Sequence, residues 1–166
     1  MALLSVPWIA AAQSQRVDFI SKKTVDLVSG PGGTGSDGAS YGLLSITPLS
    51  TKVSIVQIPD GQQAIIEMVT MSCSTSGNEL GFEPGIRIAR LPNPPDDATD
   101  TVFFLKSSRT VNSNGPVLYL ISQKVRFIMM PQMAVGVGGL IYRDPDQRVT
   151  GSCKVALTGF LTPLPD

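Results

Sequence analysis

The chain contains no histidine among its 166 residues. That removes the usual general base for an activated serine or cysteine and the commonest metal ligand. Charge is also scarce: Asp, Glu, Lys and Arg make up 16% of the chain, against about 25% in an average soluble domain. A solvated monomer normally carries more charge, so a chain this lean is expected to hide surface against neighbours. Thirteen basic and thirteen acidic residues cancel to a formal net charge of +0. The cations are scattered singly apart from Lys22-Lys23. A nucleic-acid binder normally shows a basic excess or stripe, and no nucleic acid is expected as a partner. Cysteine is limited to Cys73 and Cys153, too few for a disulfide framework or a zinc site. Buried free thiols are the simpler reading. A single bridge between two strands is the alternative, and it needs an oxidising environment. No apolar run approaches the ~18 residues of a membrane-spanning helix, so no membrane partner is expected.

Glycine (16) and proline (13) are plentiful, which leaves little room for long helices. Between the turn residues lie short stretches with period-two alternation. Candidate strands fall at 41–47, 52–58, 64–73, 85–91, 101–106, 117–122, 124–131, 134–143 and 151–161. Turn residues bound them, as in Pro59-Asp60-Gly61 and Asp144-Pro145-Asp146. Such spacing predicts roughly eight antiparallel strands in two sheets. In the last stretch Cys153, Val155, Leu157 and Leu161 share one side, and Lys154, Ala156, Thr158 and Phe160 the other. The stretches 102–105, 117–121 and 127–130 are apolar on both sides. A two-layer sandwich needs only one apolar face per strand. The surplus is covered either by the chain's own loops and arm or by other subunits.

Residues 1–40 differ from the rest. The apolar opening, MALLSVPWIAAA, lacks a basic region before it, since the first cation is Arg16, and Pro7 interrupts it. A secretory signal is therefore not the favoured reading. Two short extended pieces and the glycine-rich run 30–38 follow. Residues 1–40 are expected to form an N-terminal arm with a flexible link, and residues 41–166 the β-sandwich domain.

The run Gly33-Thr34-Gly35-Ser36-Asp37-Gly38 spells a dinucleotide fingerprint, but a strand rather than a helix is expected after it, so it reads as a flexible loop. Asp96, Asp97 and Asp100 make an acidic cluster without calcium-loop spacing and read as a solvated turn. Glu67, Glu79 and Glu83 could in principle supply paired carboxylates. Solvent-facing positions are the simpler account of them. Tyr41, Tyr119, Tyr142 and Trp8 sit on separate stretches, as core or interface anchors rather than a sugar platform. No catalytic residue, metal ligand or cofactor is assigned.

Three stretches carry a family likeness. IPDGQQAIIEMVTMSC (58–73), NGPVLYLISQKVRFIMMP (114–131) and KVALTGFL (154–161) resemble small β-sandwich virion structural proteins of tailed phages, of the capsid decoration or cement type. Together they cover roughly a third of the chain, and Pro-Asp-Gly before a strand is favoured by turn chemistry alone. The resemblance implies a virion structural subunit and transfers no functional residue.

The expected protein is all-β, an antiparallel β-sandwich of jelly-roll type with an extended N-terminal arm. Its expected role is non-enzymatic: a capsid decoration, cement or capsid subunit located in the virion. Its partners would be other virion subunits, with copies of itself in a homo-oligomer. Candidate subunit contacts are Leu3, Leu4, Val6, Trp8 and Ile9 in the arm, with Phe103, Tyr119 and Met129. The rival expectation is an extracellular carbohydrate-binding or adhesive module with a glycan as partner.

Overall fold

The computed structural model describes residues 16–29, 37–77, 79–90, 101–111 and 115–165, and the side chains of all of these except 37–40. Ten strands run in chain order: β1 (Val17–Ser29), β2 (Asp37–Leu44), β3 (Thr47–Pro48), β4 (Gln62–Thr75), β5 (Glu79–Arg90), β6 (Thr101–Phe104), β7 (Ser108–Val111), β8 (Val117–Met129), β9 (Met133–Arg143) and β10 (Val149–Pro163). There is no helix among the described residues. A six-stranded sheet has the order β3-β1-β10-β4-β8-β7, and a four-stranded sheet the order β2-β9-β5-β6. Every pairing is antiparallel. Without the short flanks β3 and β7, each sheet holds four strands. The chain crosses between the sheets at β1–β2, β2–β3, β4–β5, β6–β7, β8–β9 and β9–β10. This is the two-sheet jelly roll, and the expected all-β antiparallel sandwich is the observed fold.

The core forms because the strands alternate. Along β10, Val149, Cys153, Val155, Leu157 and Leu161 are buried, while Lys154 and Thr158 are exposed. From the four-stranded sheet Phe82, Ile86, Ile88, Val135, Val137 and Ile141 meet them. Each fully buried side chain of this size contributes roughly 1.5–3 kcal/mol relative to exposure. The Pro59-Asp60-Gly61-Gln62 turn leads into β4. Gln62 N–H donates to the Pro59 carbonyl at 3.3 Å, and Gly61 has φ +75°, which the third position of such a turn requires.

Three features differ from the sequence expectation. Residues 17–29, expected within the arm, form β1, which pairs with β10 along its whole length, Val17↔Leu161 to Ser29↔Val149. Residues 1–15 lie outside the described residues. Residues 117–129 are one strand rather than two: Gln123 sits at an inward position of a continuous period-two pattern. The irregularity lies in β4, where the register with β8 shifts between Ile66 and Met68. Residues 52–58 form a loop instead of a strand. A single bridge, Ile46↔Ile55, holds it, and Lys52 takes φ 56°, which breaks extended pairing.

Cys73 and Cys153 are joined by a disulfide with S–S 2.03 Å, not left as free thiols. β4 and β10 are neighbours, the two residues are directly opposite in register, and both point into the core at 0% exposure. Sequence distance concealed this, since 80 residues separate them.

Candidate interaction surfaces

The sandwich has two outer faces of different chemistry. On the four-stranded sheet, β5 and β9 place Gly85 opposite Gly138, with Tyr41 of β2 beside Gly138. Glycine leaves a flat floor there, and tyrosine covers it. A Cβ at Gly85 would meet the Tyr41 hydroxyl at 3.3 Å and Phe104 Cδ1 at 3.5 Å, and one at Gly81 would meet Tyr142 Cδ2 at 3.4 Å. The Tyr142 hydroxyl donates to Glu83 Oε2 at 3.1 Å. Burial pushes the Tyr41 hydroxyl above its ordinary pKa; Arg87 opposes that shift and Glu83 adds to it. Around this floor Leu43, Val102 and Phe104 stay exposed, Phe104 at 53%.

The outer face of the six-stranded sheet is hydroxyl-rich and basic. Three depressions lie on it. One of about 580 Å³ is lined by Lys22, Lys23, Thr24, Thr70, Ser72 and Lys154 among others. A second, of about 750 Å³, includes Lys106, Ser108, Leu120 and Ser122. The third, of about 540 Å³, includes Glu67, Met68, Lys124, Arg126 and Phe160. Arg16 lies 4.0 Å from the Phe160 ring centroid. It also pairs with Asp18 at 2.8 Å and with Glu67 at 3.2 Å.

At one end of the sandwich sits a largely buried polar network. Thr75 Oγ1 and the Tyr119 hydroxyl both donate to Glu79 Oε1, at 2.6 and 3.2 Å. Arg109 Nε donates to the Tyr119 oxygen at 3.2 Å. Burial raises the Tyr119 pKa, and the Arg109 bond counters it. Nearby, Arg143 is 2% exposed and organises the β9–β10 turn. Its Nε donates to Ser29 Oγ, and its Nη1 to the carbonyls of Asp144, Pro145 and Gln147. Thr75, Glu79 and Tyr119 are each no more than 7% exposed, Arg109 lies on the exposed strand β7, and Glu79 Oε2 is buried with no hydrogen-bond partner among the described residues. Glu79 is thus buried rather than solvent-facing. Glu67 belongs to the six-stranded sheet and Glu83 to the four-stranded one, so the topology builds no carboxylate pair from them. Among the described residues no group of three His, Cys, Asp or Glu is placed to hold a metal.

The candidate contacts divide three ways. Leu3, Leu4, Val6, Trp8 and Ile9 lie outside the described residues. Tyr119 and Met129 are 2% and 0% exposed; both occupy inward positions of β8, and Tyr119 packs edge-on against Phe82 with ring centroids 5.1 Å apart. Both are therefore core residues of this chain, not surface contacts. Phe103 is half-buried and packs on Phe127 at 4.4 Å. The exposed members are the adjacent residues Phe104, Leu120, Ile128 and Met130. In a strand apolar on both sides, parity alone decides which residue faces out, and sequence pattern does not fix parity there.

No protein-family model matches the chain, and no curated protein does. Among solved structures it is similar to the decameric BFDV capsid protein, with 11% identity and a TM-score of 0.38 over 90% of this chain and 100% of that one. The 60-mer of BFDV capsid protein gives 9% identity and a TM-score of 0.38 over 93% and 98%.

Proposed function

We propose that this chain is a non-enzymatic structural subunit of a viral particle, a capsid, decoration or cement protein that works through contacts between copies. The observation that carries the reading is the state of the doubly apolar strands. Their outward residues Val102, Phe104, Leu120 and Ile128 are all at least 38% exposed in the isolated chain, and no described loop covers them. Scattered apolar surface is ordinary. Here it falls on regular strands at outward positions on both sheets, where an antiparallel sheet would otherwise place polar residues. Burial at about 25 cal/mol per Å², repeated around a symmetric assembly, makes many weak contacts jointly stable. The polar network and the buried arginine suit the same role, since both rigidify the turns at one end.

The test is light scattering coupled to size exclusion, followed by mass spectrometry of purified particles. A defined oligomer and a stoichiometric copy number in particles are expected. A strict monomer that binds glycans on an array would overturn the reading in favour of the carbohydrate-binding module.

A further inference from the structure

Two rows of outward side chains cross the middle of the six-stranded sheet. The register sets Lys22, Ala156 and Thr70 side by side in one row, and Thr24, Lys154 and Ser72 in the next. Ala156 carries a single methyl, which keeps the floor low in the depression of about 580 Å³ that these residues line. Lys22 and Lys154 are diagonal neighbours there, about 7–8 Å apart. Neither ammonium is in an ion pair among the described residues, and Lys124 and Arg126 in the third depression are in none either. The acids of this face are engaged: Arg16 holds both Asp18 and Glu67, and Asp26, opposite Ser152, has an interaction of its own. Lys23 turns away, its Nζ donating to the Leu43 carbonyl at 2.8 Å. We propose that this face binds a sulfated polysaccharide, with one sulfate seated between Lys22 and Lys154. The inference goes beyond the assembly role and does not depend on it.

The donor set suits that chemistry. Two like charges at this range repel, and an oxyanion between them turns the repulsion into two charge-assisted hydrogen bonds. A sulfate ester only accepts hydrogen bonds; each Lys offers three donors, and the Thr24 and Ser72 hydroxyls offer one more apiece. Hydroxyls both donate and accept, so Thr70 and Ser122 beside the site match the hydroxyls of a sugar. The second group of cations argues for a chain over a lone ion. Lys154 stands opposite Ser72, Ser72 opposite Leu120, and Lys124 lies four residues farther along β8. Two strand spacings and four residues of rise put Lys124 roughly 16 Å from Lys154. One small anion cannot span that distance, whereas a polymer with repeated sulfates meets both groups.

A nucleic acid is the other polyanion to weigh. Its binders carry a basic excess, and this chain has none. Single strands also need aromatic rings on which bases stack. The ring on this face, Phe160, is already covered by Arg16 at 4.0 Å. Lysines set among hydroxyls, without a free ring, favour the sulfated sugar.

The experiment titrates the full chain with heparin, and with neutral dextran as the control. Wild type should bind heparin but not dextran at about 0.15 M NaCl, and release it as the screening length falls from about 8 Å to about 3 Å at 1 M. K22A/K154A should weaken heparin binding about tenfold or more, because it removes charge-assisted hydrogen bonds, with an unchanged melting temperature. K22Q/K154Q, which keeps most of each side chain, gives the same reading if the alanine pair disturbs folding. K52A/R90A removes two exposed cations from elsewhere and should leave binding as it is. A wild type that ignores heparin, a K22A/K154A variant that binds like wild type, or equal weakening by K52A/R90A would each overturn the site. Fluorescent oligothymidylate bound more tightly than heparin, and lost in K22A/K154A, would assign the face to nucleic acid instead. The assembly reading stands or falls separately, on the oligomer and the particle composition.

Discussion

The two sheets hold themselves together by different means. The six-stranded sheet has a covalent tie on its inner side, Cys73 to Cys153 between adjacent central strands. The four-stranded sheet has no cysteine. Its β9 carries Gly136, Gly138 and Gly139, residues that weaken a strand by entropy and lack of packing. What compensates lies on its outer side, where Tyr41 and Tyr142 cover glycines of neighbouring strands. One sheet therefore keeps its stabilising device inside and leaves its outer face basic and open. The other spends half its outer face on stability and leaves Phe104, Val102 and Leu43 at the margin. The outer surface of a strand is either structural or available, and neighbouring residues of one sheet can differ in which.

The largest expected effect breaks the inner tie. In a chain-entropy account a bridge spanning this separation contributes up to about 4.5 kcal/mol, with about 2–4 kcal/mol typical. Cys73→Ala with Cys153→Ala should lower stability within that typical range and drop the melting temperature by roughly 10 °C. Intact mass before and after reduction checks the premise: if the non-reduced chain carries two free thiols, the inner tie does not exist.

A smaller effect tests the outer device. Tyr41→Ala should cost about 1–2 kcal/mol, since it removes a half-buried ring from a glycine floor. Phe104→Ala, at an exposed neighbouring position, should change stability by less than about 0.5 kcal/mol yet weaken association. Denaturant melts of both variants, read beside their sedimentation, separate the two roles. Equal losses of stability would erase the distinction between structural and available surface.

The smallest effect is alkaline. Burial raises the pKa of Tyr41 and of Tyr119 above the ordinary value near 10. The folded protein thus favours the neutral phenol in both. That contribution to stability is complete below about pH 10 and is lost as pH rises through the folded-state values. Stability should decline above pH 10, and Tyr41→Phe or Tyr119→Phe should flatten the decline. Absorbance titration of the phenolates alongside unfolding at each pH reads both quantities. A phenolate appearing at its ordinary pH in either residue removes the effect from that sheet.

Much of the sandwich was legible because its signals are local. Pro59-Asp60-Gly61 needs only its own backbone to make a turn, and the alternation along 151–161 needs only its own pleat. β1 lies where the sequence pattern suggests an arm. Val17, Phe19, Val25 and Leu27 alternate as a strand should, but the exposed Lys22, Lys23 and Thr24 between them look like solvated arm until β10 is placed alongside. The loop at 52–58 lies where the pattern suggests a strand. Val53 and Val56 satisfy a strand pattern, yet they are 63% and 42% exposed, because the chain there is turning between β3 and β4.

By itself the sequence determined the fold class, the turn positions and the inward side of strands apolar on one face only, because these depend on neighbours within a few residues. It also excluded a histidine-based site outright. Only the tertiary structure decided that Cys73 meets Cys153, that Tyr119 and Met129 face the core while Phe104 and Leu120 face out, and that scattered lysines share one face. Each of those depends on which strands lie side by side and in what register. Pairings across 80 residues are set by the packing of the whole sandwich, not by any local pattern.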